Sequence, residues 1–202
     1  FEGVGSKGFP WLKEIKCELG MKVMTEVALP SHVDMALKNE IDMLWIGART
    51  TVNPFMVTEL AEALKGTHIP IFVKNPMCPD ITLWIGAIER LIHANIKNLF
   101  IIHRGFCLLD NTPYRNSPLW ELADTIREEF PDIPIFCDPS HMAGKKELIY
   151  GICRQAVERY YNGIFIESHI SPKEALSDAK QQITPTELKC LLDNLKNDVI
   201  DL

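Results

Sequence analysis

The sequence has no Cys-x-x-Cys pair, no segment rich in Gly, Pro or Ser, and no low-complexity tract. Its six cysteines, Cys17, Cys78, Cys107, Cys137, Cys153 and Cys190, are scattered through apolar stretches. That usage argues against a disulfide framework and fits reduced thiols in the cytoplasm. No apolar run approaches the roughly 20 residues that a helix needs to cross a bilayer. Nothing at the start of the chain has the pattern of a secretory leader, so a soluble protein is expected. Positive charge is in deficit: 21 Lys and Arg stand against 27 Asp and Glu, a formal net charge of −6. The summed field would not draw in nucleic acid or an anionic membrane. Any phosphate must therefore be held by a local concentration of Arg and Lys.

What is present is material for a core. Of the 202 residues, 47% are hydrophobic and 24% charged, which suits one domain with a substantial interior, and no second domain is expected. Short β-branched or apolar runs alternate with longer stretches of helical periodicity. Expected strands are 22–27, 42–47, 69–74, 98–103, 133–138 and 163–167. Expected helices are 8–19, 32–39, 54–64, 81–94, 118–130, 145–160 and 186–196. In the helix over 81–94, apolar residues fall at 81, 84, 85, 88, 91 and 92, one face of a 3.6-residue period. Strands that are apolar on both faces, separated by amphipathic helices, indicate a parallel sheet covered by helices.

The expected fold is therefore α/β, a TIM-type (β/α)8 barrel of which about six βα units are present. A closed barrel needs eight strands and typically about 250 residues, with about 200 as a lower limit. The first element is a helix behind a loop at residues 1–8, so the first two βα units are expected to be missing from the N-terminal side of a single domain, 1–202. The competing architecture is an open doubly wound sheet.

Polar residues gather where strands end. Arg49 follows the strand IDMLWIGA, Lys74 ends IPIFVK, and His103 with Arg104 ends NLFIIHR. Asp138 and His141 end IPIFCDPSH, and Glu167 and His169 end GIFIESH. In parallel α/β folds the C-terminal strand ends share a rim where active sites lie. Arg49, Lys74 and Arg104 suit a small anion carrying carboxylate and phosphate, because Arg grips such groups with two donors and Lys acts as a movable point charge. A single such cation is more simply read as a rim salt bridge; three in register favour a ligand. His141, Glu167 and Asp178 offer one imidazole and two carboxylates, a set suited to Mn, Fe, Co or Zn. Spacing alone also fits ordinary hydrogen-bonding partners, and three ligands leave the shell open for a fourth.

Other apparent motifs carry less. Gly144-Lys145-Lys146 lacks the first glycine and the Ser/Thr of a phosphate loop and reads as a basic helix start, with a phosphate contact there still open. Cys137 precedes Asp138, and strand alternation turns it away from the face that displays Asp138. His32, His68 and His93 read as surface residues.

Eight short motifs in fixed order carry a family resemblance. They are Gly3-Val4-Gly5, Thr25-Glu26-Val27, Ile46-Gly47-Ala48-Arg49-Thr50, Val73-Lys74-Asn75, His103-Arg104-Gly105, Asp138-Pro139-Ser140-His141, Glu167-Ser168-His169 and Ala175-Leu176-Ser177-Asp178. Over essentially its whole length the chain resembles the type I 3-deoxy-7-phosphoheptulonate (DAHP) synthases, in the subgroup related to the 3-deoxy-octulosonate 8-phosphate synthases. The resemblance implies that Arg49, Lys74 and Arg104 hold phosphoenolpyruvate, with the backbone of Ala48 assisting and Glu26 close by. It implies that His141, Glu167 and Asp178 ligate a divalent metal, Mn²⁺ or similar, and that Lys74, His141 and Glu167 are catalytic. The family's fourth ligand, a Cys on the first strand, and its Lys-Pro-Arg-Thr motif for the aldose phosphate belong to a segment N-terminal to Phe1.

The implied reaction is an aldol-like attack by C3 of phosphoenolpyruvate on the C1 aldehyde of erythrose 4-phosphate, with loss of phosphate, at the start of aromatic amino-acid synthesis. Gly47-Ala48-Arg49-Thr50 and Asp138-Pro139-Ser140-His141 resemble the heptulosonate enzymes rather than the octulosonate ones. The alternatives are octulosonate synthesis and a catalytically incomplete phosphate-binding fragment. The resemblance also implies a homo-oligomer. Trp84-Ile85-Gly86-Ala87 and Gln181-Gln182-Ile183-Thr184-Pro185 resemble members that carry a fused chorismate mutase or regulatory domain.

Overall fold

A computed structural model describes residues 3–109 and 111–200, without the side chains of 198–200. The expected loop at 1–8 is thus described from Gly3 onward, where Gly5–Gly8 forms a 3₁₀ turn. Among the described residues there are six parallel strands: β1 (Met24–Val27), β2 (Met43–Ile46), β3 (Ile71–Lys74), β4 (Leu99–His103), β5 (Ile135–Cys137) and β6 (Gly163–Ile164). They lie in the sheet in the order in which they occur in sequence. A doubly wound sheet reverses its order at a switch point, so that alternative falls. Consecutive parallel strands joined through helices are the units of a (β/α) barrel.

Packing divides the chain into two compact units, one formed by residues up to Pro76 with Asp80–Ile101, the other by Met77–Pro79 with the chain from Ile102 onward. The first holds α1 (Phe9–Leu19), α2 (Pro30–Lys38), the short α3 (Ala48–Thr51), α4 (Pro54–Leu64) and α5 (Ile81–His93). Its strands register as Met24 beside Met43 and Leu44 beside Ile71. Leu44, Ile46, Ile71 and Val73 from the strands are buried with Leu60 and Leu64 of α4 and Trp84, Ile88 and Leu91 of α5. A fully buried aliphatic side chain of this kind contributes about 1.5–3 kcal/mol by leaving water. The helix starts are marked by side chains that accept orphan amides. Asn53 accepts from Phe55 and Met56 N–H, and Asp80 from Thr82 and Leu83 N–H. In α5 the buried positions are 84, 87, 88 and 91, while Ile92, expected on the inner face, is 42% exposed.

The second unit holds α6 (Trp120–Glu129), the short α7 (Pro139–Ala143), α8 (Ile149–Glu158) and α9 (Pro185–Ile200). Its core combines Cys137 with Met142 and Ala143 of α7, Ile149, Ile152, Cys153 and Ala156 of α8, and Leu191 and Leu195 of α9. The single helix expected over 145–160 is a 3₁₀ turn, Lys146–Leu148, followed by α8. The amide of Lys146 bonds Lys180 O, and Lys145 before it is extended. α9 starts behind a reciprocal cap in which Glu187 N–H donates to Thr184 Oγ1 and Thr184 N–H donates to Glu187 Oε2. It continues to Ile200 rather than stopping at 196. All six cysteines are free, and no described helix is long and apolar enough to cross a membrane.

Candidate active site

In the first unit, β3 is buried along its length and delivers Lys74, 6% exposed, at its C-terminal end. Asn75 follows, fully buried, with its side-chain amide on Pro76 O. Arg49 is the second residue of α3 and is exposed with no ion pair to a described residue. A rim salt bridge for Arg49 is thereby excluded within the described residues. Gly47 caps α3, and the Glu26 carboxylate lies directly over it: a Cβ at position 47 would stand 2.0 Å from Glu26 Oε1. Glycine here makes room for a carboxylate beside Ala48 and Arg49.

In the second unit, alternation along β4 separates two neighbours. Arg104, 5% exposed, donates from Nη1 to Asn116 Oδ1 at 3.1 Å. Asn116 in turn donates to His141 O at 2.6 Å, so the cation and the imidazole residue are braced by one buried amide. Gly105 has φ +73°, and a Cβ there would meet Asn116 O at 2.6 Å, a close approach that only glycine allows. His103 instead enters an aromatic pocket of Phe106, Trp120 and Tyr161, with Nδ1 2.9 Å from the Tyr161 hydroxyl. Burial drives its pKa down to about 3, against the raising effect of a hydrogen bond that the imidazole donates to the Pro118 carbonyl. This histidine is neutral and structural, not one of the strand-end groups facing a ligand.

His141, Glu167 and Asp178 converge within the second unit. One donor atom of each lies within 4.8 Å of the others. β5 ends at Cys137, one residue earlier than expected, because Asp138 is the N-cap of α7, accepting from His141 N–H at 3.1 Å. Its other oxygen stands 2.9 Å from His141 Nδ1. Asp138 is completely buried, and this contact holds the proton on Nδ1 and leaves the Nε2 lone pair outward, 3.9 Å from Asp178 Oδ2. Glu167 has left the ladder, since β6 ends at Ile164; its amide bonds Ser140 Oγ at 3.0 Å. Asp178 has φ +55°, a left-handed conformation that Asp tolerates better than most residues.

Ligands standing about 2.0–2.2 Å from an ion are separated from one another by about 3–4.4 Å. The three donors therefore need only small adjustments to share one. An imidazole with a carboxylate behind it and two carboxylates fit a divalent first-row ion.

His169 does not join the three donors; its Nδ1 accepts from Ser171 N–H. His32 is not a bare surface residue either, since its Nδ1 accepts from Ala28 N–H at 3.3 Å. Lys146 is paired with Glu187 at 2.7 Å, in keeping with a helix start rather than a phosphate loop. Sequence reasoning missed the capping role of Asp138, although Asp-Pro-x-His has Pro at the first helical position, a start signal. It also missed Arg115, Asn116 and Gln181, which no local pattern marks.

Six parallel strands in sequence order, alternating with helices, define a protein of the (β/α)-barrel class. The particular family follows from comparison: residues 1–201 match the DAHP synthetase I family, and the chain belongs to it. It is 28% identical over 200 residues to the phospho-2-dehydro-3-deoxyheptonate aldolase of Thermotoga maritima, covering 97% of this chain and 56% of that protein. It is 26% identical over 214 residues to the 2-dehydro-3-deoxyphosphooctonate aldolase of Wolinella succinogenes, covering 96% and 79%. The crystal structure of the Thermotoga maritima DAHP synthase superposes with a TM-score of 0.86 at 26% identity, over 98% of this chain and 56% of that one. A truncated form from the same organism gives 0.84 at 25%, over 96% and 72%. This chain thus spans about half the length of the full-length heptonate aldolase.

Proposed function

We propose that this chain carries the phosphoenolpyruvate- and metal-binding part of a 3-deoxy-7-phosphoheptulonate synthase. The observation that carries the reading is the convergence of His141, Glu167 and Asp178 in a member of this family. Arg49, Lys74 and Arg104 are assigned to the carboxylate and phosphate of phosphoenolpyruvate, with Ala48 N–H and Glu26 beside them. C3 of phosphoenolpyruvate bonds to C1 of erythrose 4-phosphate, water adds at C2, and the bond from C2 to the phosphate oxygen breaks. The products are 3-deoxy-D-arabino-heptulosonate 7-phosphate and inorganic phosphate, as in the first step of the shikimate pathway. A bound divalent ion, Mn²⁺ or similar, supplies Lewis acidity toward the aldehyde. Fixed cations at the phosphate offset charge that grows as it departs, and Asp138 keeps the proton on His141 Nδ1.

The test is phosphate release from phosphoenolpyruvate with erythrose 4-phosphate, with and without Mn²⁺. Release dependent on both metal and aldose is expected. Release that is faster with arabinose 5-phosphate would transfer the chain to octulosonate synthesis, the reading favoured by relatives such as that from Wolinella succinogenes. Phosphoenolpyruvate binding with no release from either aldose would leave a binding fragment. The six units are read as one barrel domain, for which a single cooperative unfolding transition is expected. Cytoplasmic location, consistent with six free thiols, and self-association complete the reading.

A further inference from the structure

Gln181 is 1% exposed and stands among the three donors without being one. Its Nε2 donates to Glu167 Oε2 at 2.6 Å, and its Oε1 accepts from Arg115 Nη1 at 2.7 Å. The same Nη1 donates to Asp178 Oδ1 at 2.5 Å. A continuous run of hydrogen bonds thus joins the two carboxylates through one amide and one guanidinium. Resting on the metal reading above, we propose that Arg115 and Gln181 are positioning residues for the divalent ion. Each occupies one oxygen of a ligand carboxylate and so restricts that carboxylate to ligation through the other.

Three features support this role. Asp178 Oδ2, the oxygen that Arg115 leaves alone, is the one facing His141 Nε2. An amide at 181 can sit only one way between a carboxylate and a guanidinium, with its NH₂ toward Glu167 and its oxygen toward Arg115. Leucine at 181 would leave both without this partner, and glutamate would set a second anion against Glu167. Arg115 is itself fixed. Its amide bonds Met142 O at the end of α7, and its Cβ lies where a side chain at Gly144 would be, 2.4 Å from that Cβ. The glycine that terminates α7 at φ +68° also makes room for the arginine.

The experiment titrates Mn²⁺ into wild type, Gln181→Leu, Arg115→Met and Arg115→Lys, reading free Mn²⁺ and the bound-ion spectrum by electron paramagnetic resonance. Loss of an outer partner of a metal ligand typically weakens binding 10–100-fold, and that range is expected for Gln181→Leu and Arg115→Met, with a broadened bound-ion spectrum. Arg115→Lys, which keeps the charge but not the fixed fork, should recover part of the loss. Arg115 is 43% exposed, so its variants remain informative if the buried Gln181 change disrupts folding. Affinities within twofold of wild type in folded variants would overturn the inference and leave the metal reading intact. Tighter binding by Arg115→Met would also overturn it, by making Arg115 a competitor of the ion. Absence of Mn²⁺ binding by wild type would remove both.

Discussion

Asp138 performs two tasks that can be separated by substitution. It caps α7 through the His141 amide and orients the His141 ring through Nδ1, from a position with no solvent exposure. Asparagine retains an acceptor for the cap but not the charge; alanine retains neither. Loss of an N-cap costs about 1 kcal/mol, and loss of a hydrogen bond to a charged group about 1.5–3 kcal/mol. Asp138→Ala should therefore lower the unfolding free energy by roughly 2.5–4 kcal/mol, and Asp138→Asn by clearly less.

Metal binding separates the second task from the first, because asparagine keeps the cap acceptor but not the charge. Without the carboxylate, the proton on His141 is no longer held on Nδ1, and Nε2 loses its assured lone pair. Outer-partner loss of about 10–100-fold in affinity can be read as a change in metal-induced stabilisation. At an Mn²⁺ concentration 100 times the wild-type Kd, the ion stabilises the wild type by about 2.7 kcal/mol. The same concentration should stabilise Asp138→Asn by only about 0.4–1.4 kcal/mol. Urea unfolding of each protein with and without Mn²⁺ measures both quantities. A full wild-type gain in Asp138→Asn would refute the orienting role, whatever the stability without metal.

Three further outcomes are expected. His103 is held neutral to about pH 3 by burial, below its ordinary 6.5, so the unfolded chain takes up the proton first. Stability is complete above about pH 6.5 and falls by about 1.4 kcal/mol per unit below it, or about 2 kcal/mol by pH 5. His103→Gln should flatten that slope in urea titrations, and an unchanged slope would dismiss His103 as its source. Gly47→Ala pushes only against the flexible end of Glu26, so the unfolding midpoint should hardly move while phosphoenolpyruvate affinity drops severalfold by calorimetry; equal affinity would count against Glu26 bordering the ligand. Gly105→Ala meets backbone at Asn116 with φ positive, and should cost about 2 kcal/mol or more. Thermal unfolding within a degree of wild type would contradict that close approach.

The βα alternation was legible because both periods are simple. Strands apolar on both faces and helices such as Ile81–His93, with its buried 84, 88 and 91, announce themselves from local pattern. His141 and Glu167 could be singled out because they follow successive strands, whereas Asp178 follows none and stood out only by residue type and resemblance. What escaped was decided by hydrogen bonds between segments far apart in sequence. His103 looked like a partner of Arg104 at a strand end, yet one step of alternation sends it into an aromatic pocket with Trp120 and Tyr161. Gln181 drew notice only within the motif Gln181-Gln182-Ile183-Thr184-Pro185, and its hydrogen-bond partner Arg115 is 66 residues away. Strand ends were read too long at both 138 and 167 because the side chains there serve a helix cap and a loop return, neither of which has strand periodicity.

The return of the chain after Glu167 has a practical consequence. Ser168 and Ile183 form a parallel bridge, Ile183 N–H bonds Glu167 O, and His169 N–H bonds Ile183 O. The base of this excursion is held by backbone pairing, whereas Asp178, inside it, is tied to Arg115 and, through its carbonyl, to the Gln181 amide. The outer part of the excursion carries Ile170 at 85% and Leu176 at 74% exposure. Doubling the length of a flexible loop costs only about 0.6 kcal/mol in closure entropy. The stretch between Lys173 and Ser177 is accordingly a place where a reporter peptide could be spliced into the chain while the bridge below it remains paired.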